Sequence, residues 1–434
     1  MQFYFRNVNA AFVGLVRAID KGHLPMTRQP SRYGEVLQVE EPVTVTYSNP
    51  RERVLMNEAR DANPFFHLYE SLWMLAGRND VAPLAYYNSR MSEFSDDGKV
   101  FRGAYGHRWR HASILGDALF NRPSELGMAL AVGDLTGVAE VDQLDVIVKH
   151  LQAQPHSRRA VLQMWNVADD LCAIDEHVHA CQVCGGSKGW AEGGTWGDCA
   201  RCHGKGVVVT PASRDVCCNV VTTFQMRDKP GNWHPETGVN PNTAPAVPAQ
   251  RVLDLTVFNR SNDMVWGMLG ANAVQFSVLQ EYVAARLGVG VGRYNQITAN
   301  MHVYTNTWKP KEWLEAENAH HGMSPEQDPI PLVANPEAFE RQLPEFVEQF
   351  SGSFDLNEHV WSEPFLGRVA APMLRAFALY RASRRLDTSD RVSHMKRALQ
   401  EAETVVDSLW KQAAVGWLER RAIRANQQFS VKVG

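Results

Sequence analysis

Apolar positions along the chain switch between two rhythms. Phe12, Val13, Leu15, Val16 and Ile19 fall near helical spacing and predict an amphipathic helix over residues 1–24. Residues 35–47 (EVLQVEEPVTVTY) are rich in valine and threonine with partial alternation, which predicts a strand. After Asn63-Pro64, the positions Phe65, Phe66, Leu68, Leu72, Trp73 and Leu75 predict a helix with Glu70 embedded in it, and Gly77 is placed to stop it. A helix over 141–153 ends before Pro155, and a buried strand follows over 159–165. Residues 216–227 and 251–259 read as strands. The segment 229–250 between them, rich in proline, glycine and asparagine, reads as a long loop. A long helix over 271–287 precedes a strand over 294–304.

From about residue 360 the pattern is helical only, over 366–384 and 390–425. Val392, Met395, Leu399, Val405, Leu409 and Trp410 share a face there, with Ser389 or Asp390 as N-cap. Mixed strands and helices followed by helices alone predict an α+β main part with a helical appendage. The expected boundaries are 1–176 and 209–335 for two parts of the main domain, with a loop insertion at 229–250. An inserted cysteine module spans 177–208, and a mostly helical extension spans 336–434.

A chain of 434 residues suits one large domain with additions, or two to three domains. Lys+Arg 44 against Asp+Glu 48 leaves a formal charge of -4, which argues against a genome-coating protein. No basic N-terminal segment precedes an apolar run, and no stretch approaches ~18 uninterrupted apolar residues. The expectation is a soluble cytoplasmic protein without a membrane partner.

Of the seven cysteines, four form two Cys-x-x-Cys pairs, two are adjacent and one is alone, a usage that points to metal and catalysis rather than disulfides. Cys181, Cys184, Cys199 and Cys202 suit a tetrahedral Zn²⁺ closed to catalysis, and glycines follow each pair. His177, His179 and His203 are alternative ligands. Such a module is either a structural clip on a long insertion or a ribbon that recognises nucleic acid or a partner enzyme.

The remaining chemistry is spread along the chain. Glu70 sits on an otherwise apolar helix, where a carboxylate is either an exposed face residue or a costly functional one. Arg158 and Arg159 open a strand, as a phosphate grip or a surface pair. Arg260 and Ser261 offer further donors to a phosphate, close to a candidate nucleophile at Cys217-Cys218. Asn272 either reads a base edge or caps its helix. His302 and Tyr304, two apart on a strand, face one side, to bond sugar hydroxyls or each other.

As an ordered set these motifs resemble the thymidylate synthase family over roughly residues 1–310. They are Ser157-Arg158-Arg159, Trp165-Asn166, the cysteine strand, Arg260-Ser261-x-Asp263, Asn272 and His302-x-Tyr304. Glu70-x-x-Trp73 and Tyr105-Gly106-x-x-Trp109-Arg110 match the family's N-terminal motifs. The form Arg-Ser-Asn-Asp is closest to the phage nucleotide hydroxymethylases of this family.

The resemblance implies a thymidylate synthase-like mixed sheet and a nucleophile at Cys218 that adds to C6 of a pyrimidine, with Cys217 as runner-up. It implies that Arg260 and Ser261 bind the 5′-phosphate, with Arg158 and Arg159 contributed across a homodimer interface and Arg32 as a mobile phosphate arginine. Asn272 is implied to contact the base and His302 and Tyr304 the deoxyribose. Glu70 would organise water and protons, Asp263 would position the folate, and 5,10-methylenetetrahydrofolate would donate the one-carbon unit.

The chain departs from the family in four places. Pro-Cys-His becomes Cys217-Cys218-Asn219. Residues 86–103 carry no tryptophan to shield the exocyclic methylene from water. The short apolar closing tail is not recognisable in Gln428-Phe429-Ser430-Val431-Lys432-Val433-Gly434. The cysteine module and the 229–250 loop are insertions. The first three favour hydroxymethylation over reductive methylation. Asn272, where deoxycytidylate hydroxymethylases of the family carry Asp, favours deoxyuridylate, although one extra residue precedes it. The leading expectation is therefore C5 hydroxymethylation of dUMP in a phage DNA-modification setting. Thymidylate synthase and dCMP hydroxymethylase are rivals from the same class, and a zinc-dependent nucleic-acid-binding protein on a degenerate enzyme fold is the rival from another.

Overall fold

Asn7 decides how the chain begins. Its side chain accepts the Ala10 N–H at 2.9 Å and caps helix α1 (Val8–Asp20). The residues before it are strand β1 (Gln2–Phe5) rather than the first turn of a helix over 1–24. The computed structural model describes residues 1–115, 138–171, 177–192, 195–210, 212–229, 233–234, 238–239, 250–316, 330–352, 359–386 and 388–433. Most of the 229–250 loop therefore lies outside the described residues.

Strands β2 (Met26–Ser31), β3 (Gly34–Val39) and β4 (Val43–Tyr47) follow, so the expected strand over 35–47 is two strands. Helices α2 (Pro64–Leu75), α3 (Val81–Tyr87) and α4 (Tyr105–Arg110) lead to a hairpin of β5 (Ala112–Leu115) and β6 (Val138–Val141). Helix α5 (Gln143–Ala153) precedes β7 (Val161–Gln163). The cysteine module has two antiparallel strand pairs from β8 (His177–Ala180), β9 (Gly189–Glu192), β10 (Thr195–Asp198) and β11 (Val207–Thr210), with β8 paired to β11 and β9 to β10.

Strand β12 (Asn219–Lys229), the short pair β13 (Trp233–His234) and β14 (Gly238–Val239), and β15 (Gln250–Asn259) come next. Strand β16 (Asn262–Asp263) enters a wide π-helical turn, Met264–Ala271, that continues into α6 (Asn272–Leu287). The strand expected over 294–304 is again two, β17 (Gly290–Thr298) and β18 (Met301–Tyr304). The rest is helical: α7 (Pro310–Glu315), α8 (Pro336–Gln349), α9 (Ala371–Ser383), α10 (Thr388–Glu403) and α11 (Leu409–Val433).

The architecture is α+β. A six-stranded mixed sheet runs β1-β4-β17-β15-β12-β7, with β1 parallel to β4 and β15 parallel to β17. A second sheet runs β16-β18-β3-β2. The split strands are where the chain passes from one sheet to the other.

Helix α2 is buried along its whole length. Its Phe65 ring lies 5.3 Å from Phe377 of α9 and 5.3 Å from Trp417 of α11. The Tyr69 hydroxyl donates to the Val347 carbonyl at 2.9 Å. One apolar cluster runs from Val8 to Leu418, so the C-terminal helices complete the catalytic core instead of hanging from it. The single helix expected over 390–425 is broken at residues 404–408, where the Val406 N–H turns to the Arg368 carbonyl at 3.1 Å and Ser408 Oγ accepts from the Lys411 N–H at 3.2 Å. Helix α10 starts at Thr388, which puts Ser389 and Asp390 in its first turn and not at the cap.

Candidate active site

Cys217 and Cys218 lie just before β12 and face different surroundings. Cys217 is buried, and its thiol donates to the Gly103 carbonyl at 3.2 Å. Burial pushes its pKa far up. Behind it, the buried Arg108–Asp170 pair is fixed by two bonds of 2.5 and 3.2 Å, and Asp170 accepts the Cys217 N–H at 3.4 Å.

Cys218 is half-buried, with Arg260 Nη2 at 3.8 Å from its sulfur. The Arg260 N–H donates to the Cys218 carbonyl at 2.9 Å, and its guanidinium donates to the Cys217 carbonyl at 2.8 Å and the Val216 carbonyl at 3.2 Å. Trp165 lies 5.6 Å from that guanidinium. Burial raises the Cys218 thiol, and the charges of Arg260 and Arg32 pull it back part of the way. Arg32 itself is exposed and donates to the Arg214 carbonyl at 3.0 Å.

The site gathers further residues from the second sheet and its neighbours. His302 and Tyr304 sit edge to face at 5.5 Å, as their spacing on β18 predicted. His302 Nδ1 bonds Asn300 Oδ1 at 3.1 Å, and burial lowers its pKa, so the ring is neutral with Nε2 free to accept. Tyr304 bonds Ser31 and lies in the fields of both Asp263 and Cys218. Asp263 accepts the Trp266 N–H at 2.5 Å, and burial lifts its pKa to about 6. The Ser261 hydroxyl makes no hydrogen bond among the described residues.

Asn272 does not cap helix α6; its buried side chain has no hydrogen-bond partner among the described residues. The extra residue before it is accommodated by the π turn, whose wider ring holds one more residue than an α turn. Glu70 is not an exposed face residue: it is 6% exposed, bonded by Gln275, and its pKa is lifted to about 7 by burial. Arg158 and Arg159 lie in a bend before β7 and not on the strand, and both are exposed without an ion pair among the described residues.

Gln275 was not visible in the pattern, and the contacts made by Tyr105, Asn219, Tyr86 and Tyr87 were not either. Gln275 on α6 partners Glu70. The Tyr105 hydroxyl accepts the Asn219 N–H at 3.3 Å. Asn219, where the family has histidine, spends its amide on the Phe258 carbonyl and Asn259 Oδ1, at 3.3 and 3.1 Å. Tyr86 and Tyr87, the rings at the start of the tryptophan-free segment, pack on Phe377 at 5.9 and 4.9 Å, in the C-terminal part of the core.

Away from this cleft, the Sγ atoms of Cys181, Cys184, Cys199 and Cys202 lie within 4.8 Å of one another, with two pairs at 3.7 Å. Tetrahedral Zn²⁺ with Zn–S of about 2.3 Å sets sulfurs about 3.8 Å apart, so the donor set fits that ion. Gly206 has φ 77°, and a Cβ there would sit 2.6 Å from the Gly186 carbonyl oxygen, which accounts for glycine at this knuckle. His203 is not in the cluster, and the side chains of His177 and His179 lie outside the described residues.

The sheet order, the thiol beside Arg260 and the convergent polar groups define a nucleotide one-carbon transferase site. Residues 32–185 match the thymidylate synthase family model, and the chain belongs to the thymidylate synthase family. It is 34% identical over 426 residues to the deoxyuridylate hydroxymethyltransferase of Pseudomonas phage M6, covering 96% of this chain and 93% of that protein. It is 31% identical over 304 residues to the deoxyuridylate hydroxymethyltransferase of Bacillus phage SP01, covering 70% of this chain and 58% of that protein. Among the described residues no helix is long and apolar enough to cross a membrane.

Proposed function

We propose that this enzyme transfers a one-carbon unit from 5,10-methylenetetrahydrofolate to C5 of dUMP and leaves it as a hydroxymethyl group. The observation that carries the reading is the opposite orientation of the two cysteines. Cys218 is the partly open one of the two and has Arg260 against its sulfur, which supports it as the nucleophile that adds to C6 and makes C5 carbon-nucleophilic. Arg260, Ser261 and Arg32 bind the 5′-phosphate. Arg158 and Arg159, exposed and without an ion pair among the described residues, complete that site in a second copy, which makes the working form a homodimer. His302 and Tyr304 hold the deoxyribose.

Asn272 reads the O4/N3–H edge of uracil by donating and accepting, which supports dUMP over dCMP. Glu70 holds water and moves a proton near C4 and C5, and Asp263 orients the folate. The folate supplies the one-carbon unit and leaves as tetrahydrofolate. In the tryptophan-free segment, Tyr86 and Tyr87 are committed to packing on Phe377, which supports water rather than hydride meeting the transferred carbon. The similarity to two phage deoxyuridylate hydroxymethyltransferases supports the same product. The four cysteines hold a structural Zn²⁺ that closes the 177–208 insertion, and the enzyme works in the cytoplasm.

The test is product mass. Purified protein is incubated with methylenetetrahydrofolate and either dUMP or dCMP. A hydroxymethyl nucleotide from dUMP with tetrahydrofolate is the expected outcome. A methyl product with equimolar dihydrofolate would refute it, because only methyl transfer oxidises the folate.

A further inference from the structure

Where α11 begins, it meets the catalytic part around a cavity of about 30 Å³. Arg51 and Arg53 line it from the segment after β4, and Glu281 lines it from α6. Ile330, Phe365 and Val369 supply apolar wall. Ser408, Leu409 and Trp410 bring the start of α11 to it.

The polar side of this cavity is made of donors. Arg53 is 4% exposed; its Nη2 donates to Glu281, while its buried Nε has no acceptor among the described residues. A guanidinium N–H left so is costly. Ser408 caps α11 by accepting the Lys411 N–H at 3.2 Å. The Leu409 and Trp410 N–H groups in the first turn make no hydrogen bond among the described residues, and they carry the positive end of a 25-residue helix.

The acceptors beside these donors are already engaged. Glu281 takes Arg53, Arg51 Nε at 3.4 Å and the Leu332 N–H at 3.0 Å. Burial works to raise its pKa, but Arg53, Arg51 and that N–H hold it below the usual carboxylate range, so it is charged. Ser408 Oγ donates to the Val406 carbonyl at 2.9 Å. A water molecule has two hydrogens of its own to place, and these side chains offer it donors and apolar surface. A group that only accepts matches them better, which means an oxyanion. A buried water needs about 10–15 Å³, so the cavity has room for roughly two or three heavy atoms. That is the size of a carboxylate and less than a phosphate.

We propose that this cavity binds the carboxylate of a small organic acid, with Arg53 Nε and the first N–H groups of α11 as its donors, and that the bound acid ties the C-terminal helices to the catalytic part. The site is separate from the Cys218 cleft and does not depend on the reaction proposed above. A ligand of three heavy atoms reaches a dissociation constant of about 1 mM at best, so the acid is one present at millimolar concentration.

The probe is formate. Thermal unfolding of the full-length protein is followed by calorimetry at saturating dUMP, which occupies the phosphate grip of the active site, while formate replaces chloride at constant ionic strength. Formate is expected to raise Tm saturably by roughly 1–3 °C, and phosphate to give no such rise. Val369→Leu adds a methylene to the cavity. Arg53→Lys keeps a cation on Glu281 but removes Nε. Each is expected to abolish the formate rise and to leave dUMP turnover within about twofold of wild type. No saturable rise with formate, a rise that survives Val369→Leu, or an equal rise with phosphate overturns the proposal. If Arg53→Lys does not fold, Val369→Leu decides alone.

Discussion

Gln275 of α6 hydrogen-bonds the buried Glu70 carboxyl of α2, and the pair leaves Glu70 Oε2 and Gln275 Oε1 without a donor. Burial in this apolar helix contact lifts the Glu70 pKa to about 7, and the bond from Gln275 opposes the rise only in part. Because the folded pKa lies above the unfolded one, the native state binds more protons. The associated stability is full below the unfolded pKa and falls away as pH rises towards about 7.

Glu70→Gln should therefore raise the unfolding free energy at pH 8 relative to wild type, by at most about 3 kcal/mol, and much less at pH 5. Urea melts at both pH values measure this. The same substitution should lower kcat and abolish the inflection near neutral pH in the wild-type profile. A substitution that costs stability more at pH 8 than at pH 5 contradicts the argument.

The two adjacent cysteines should separate cleanly. Cys218→Ser should lower kcat at least about a thousandfold, since a serine hydroxyl beside Arg260 is a far weaker nucleophile. Cys217→Ser retains an O–H able to donate to Gly103, and should change kcat by less than about threefold while costing about 1 kcal/mol of stability. Trapping of a covalent 5-fluoro-dUMP adduct by mass spectrometry gives the direct check. An adduct that survives Cys218→Ser and is lost in Cys217→Ser reverses the assignment.

Much of this site was legible because its residues sit at fixed offsets on regular elements. His302 and Tyr304 share a face through the period of β18, and the two Cys-x-x-Cys knuckles are local in the chain. What was not legible depended on tertiary partners. Residues 35–47 and 294–304 keep a strand pattern while passing between sheets, a change that alternation does not encode. Asn7 capped α1 against a periodicity that extended further towards the N-terminus. The helices after residue 360 read as an appendage because their apolar faces showed, but not that α2 is what covers them. Arg53, Glu281 and Ser408 meet only in three dimensions.

Removal of metal should act on the insertion before the active site. Thiol-reactive displacement should release about one equivalent of zinc per chain, read with a colorimetric chelator. Cys184→Ser should expose residues 177–208 to limited proteolysis, with kcat on intact protein reduced less than about threefold. A loss of nucleotide turnover in step with zinc release would give the module a larger role than a clip.

Base choice should turn on Asn272. Its amide has no protein partner among the described residues, and the π turn Met264–Ala271 takes up the one extra residue before it, which supports the proposal that it reads the base. Uracil presents O4 as an acceptor and N3–H as a donor, which one amide satisfies together. Cytosine presents an N4 donor and an N3 acceptor, which a carboxyl group able to carry a proton matches better. Asn272→Asp should therefore lower kcat/KM for dUMP by about a hundredfold or more, since a buried mispaired polar edge is strongly rejected. It should also introduce measurable turnover of dCMP, most evident at the acidic end of the pH range, where the new carboxyl is protonated. Competition assays with both nucleotides in one tube, resolved by product mass, give the ratio directly. A variant that loses dUMP and dCMP alike shows only a damaged pocket, whereas one that retains the wild-type preference removes Asn272 from base recognition.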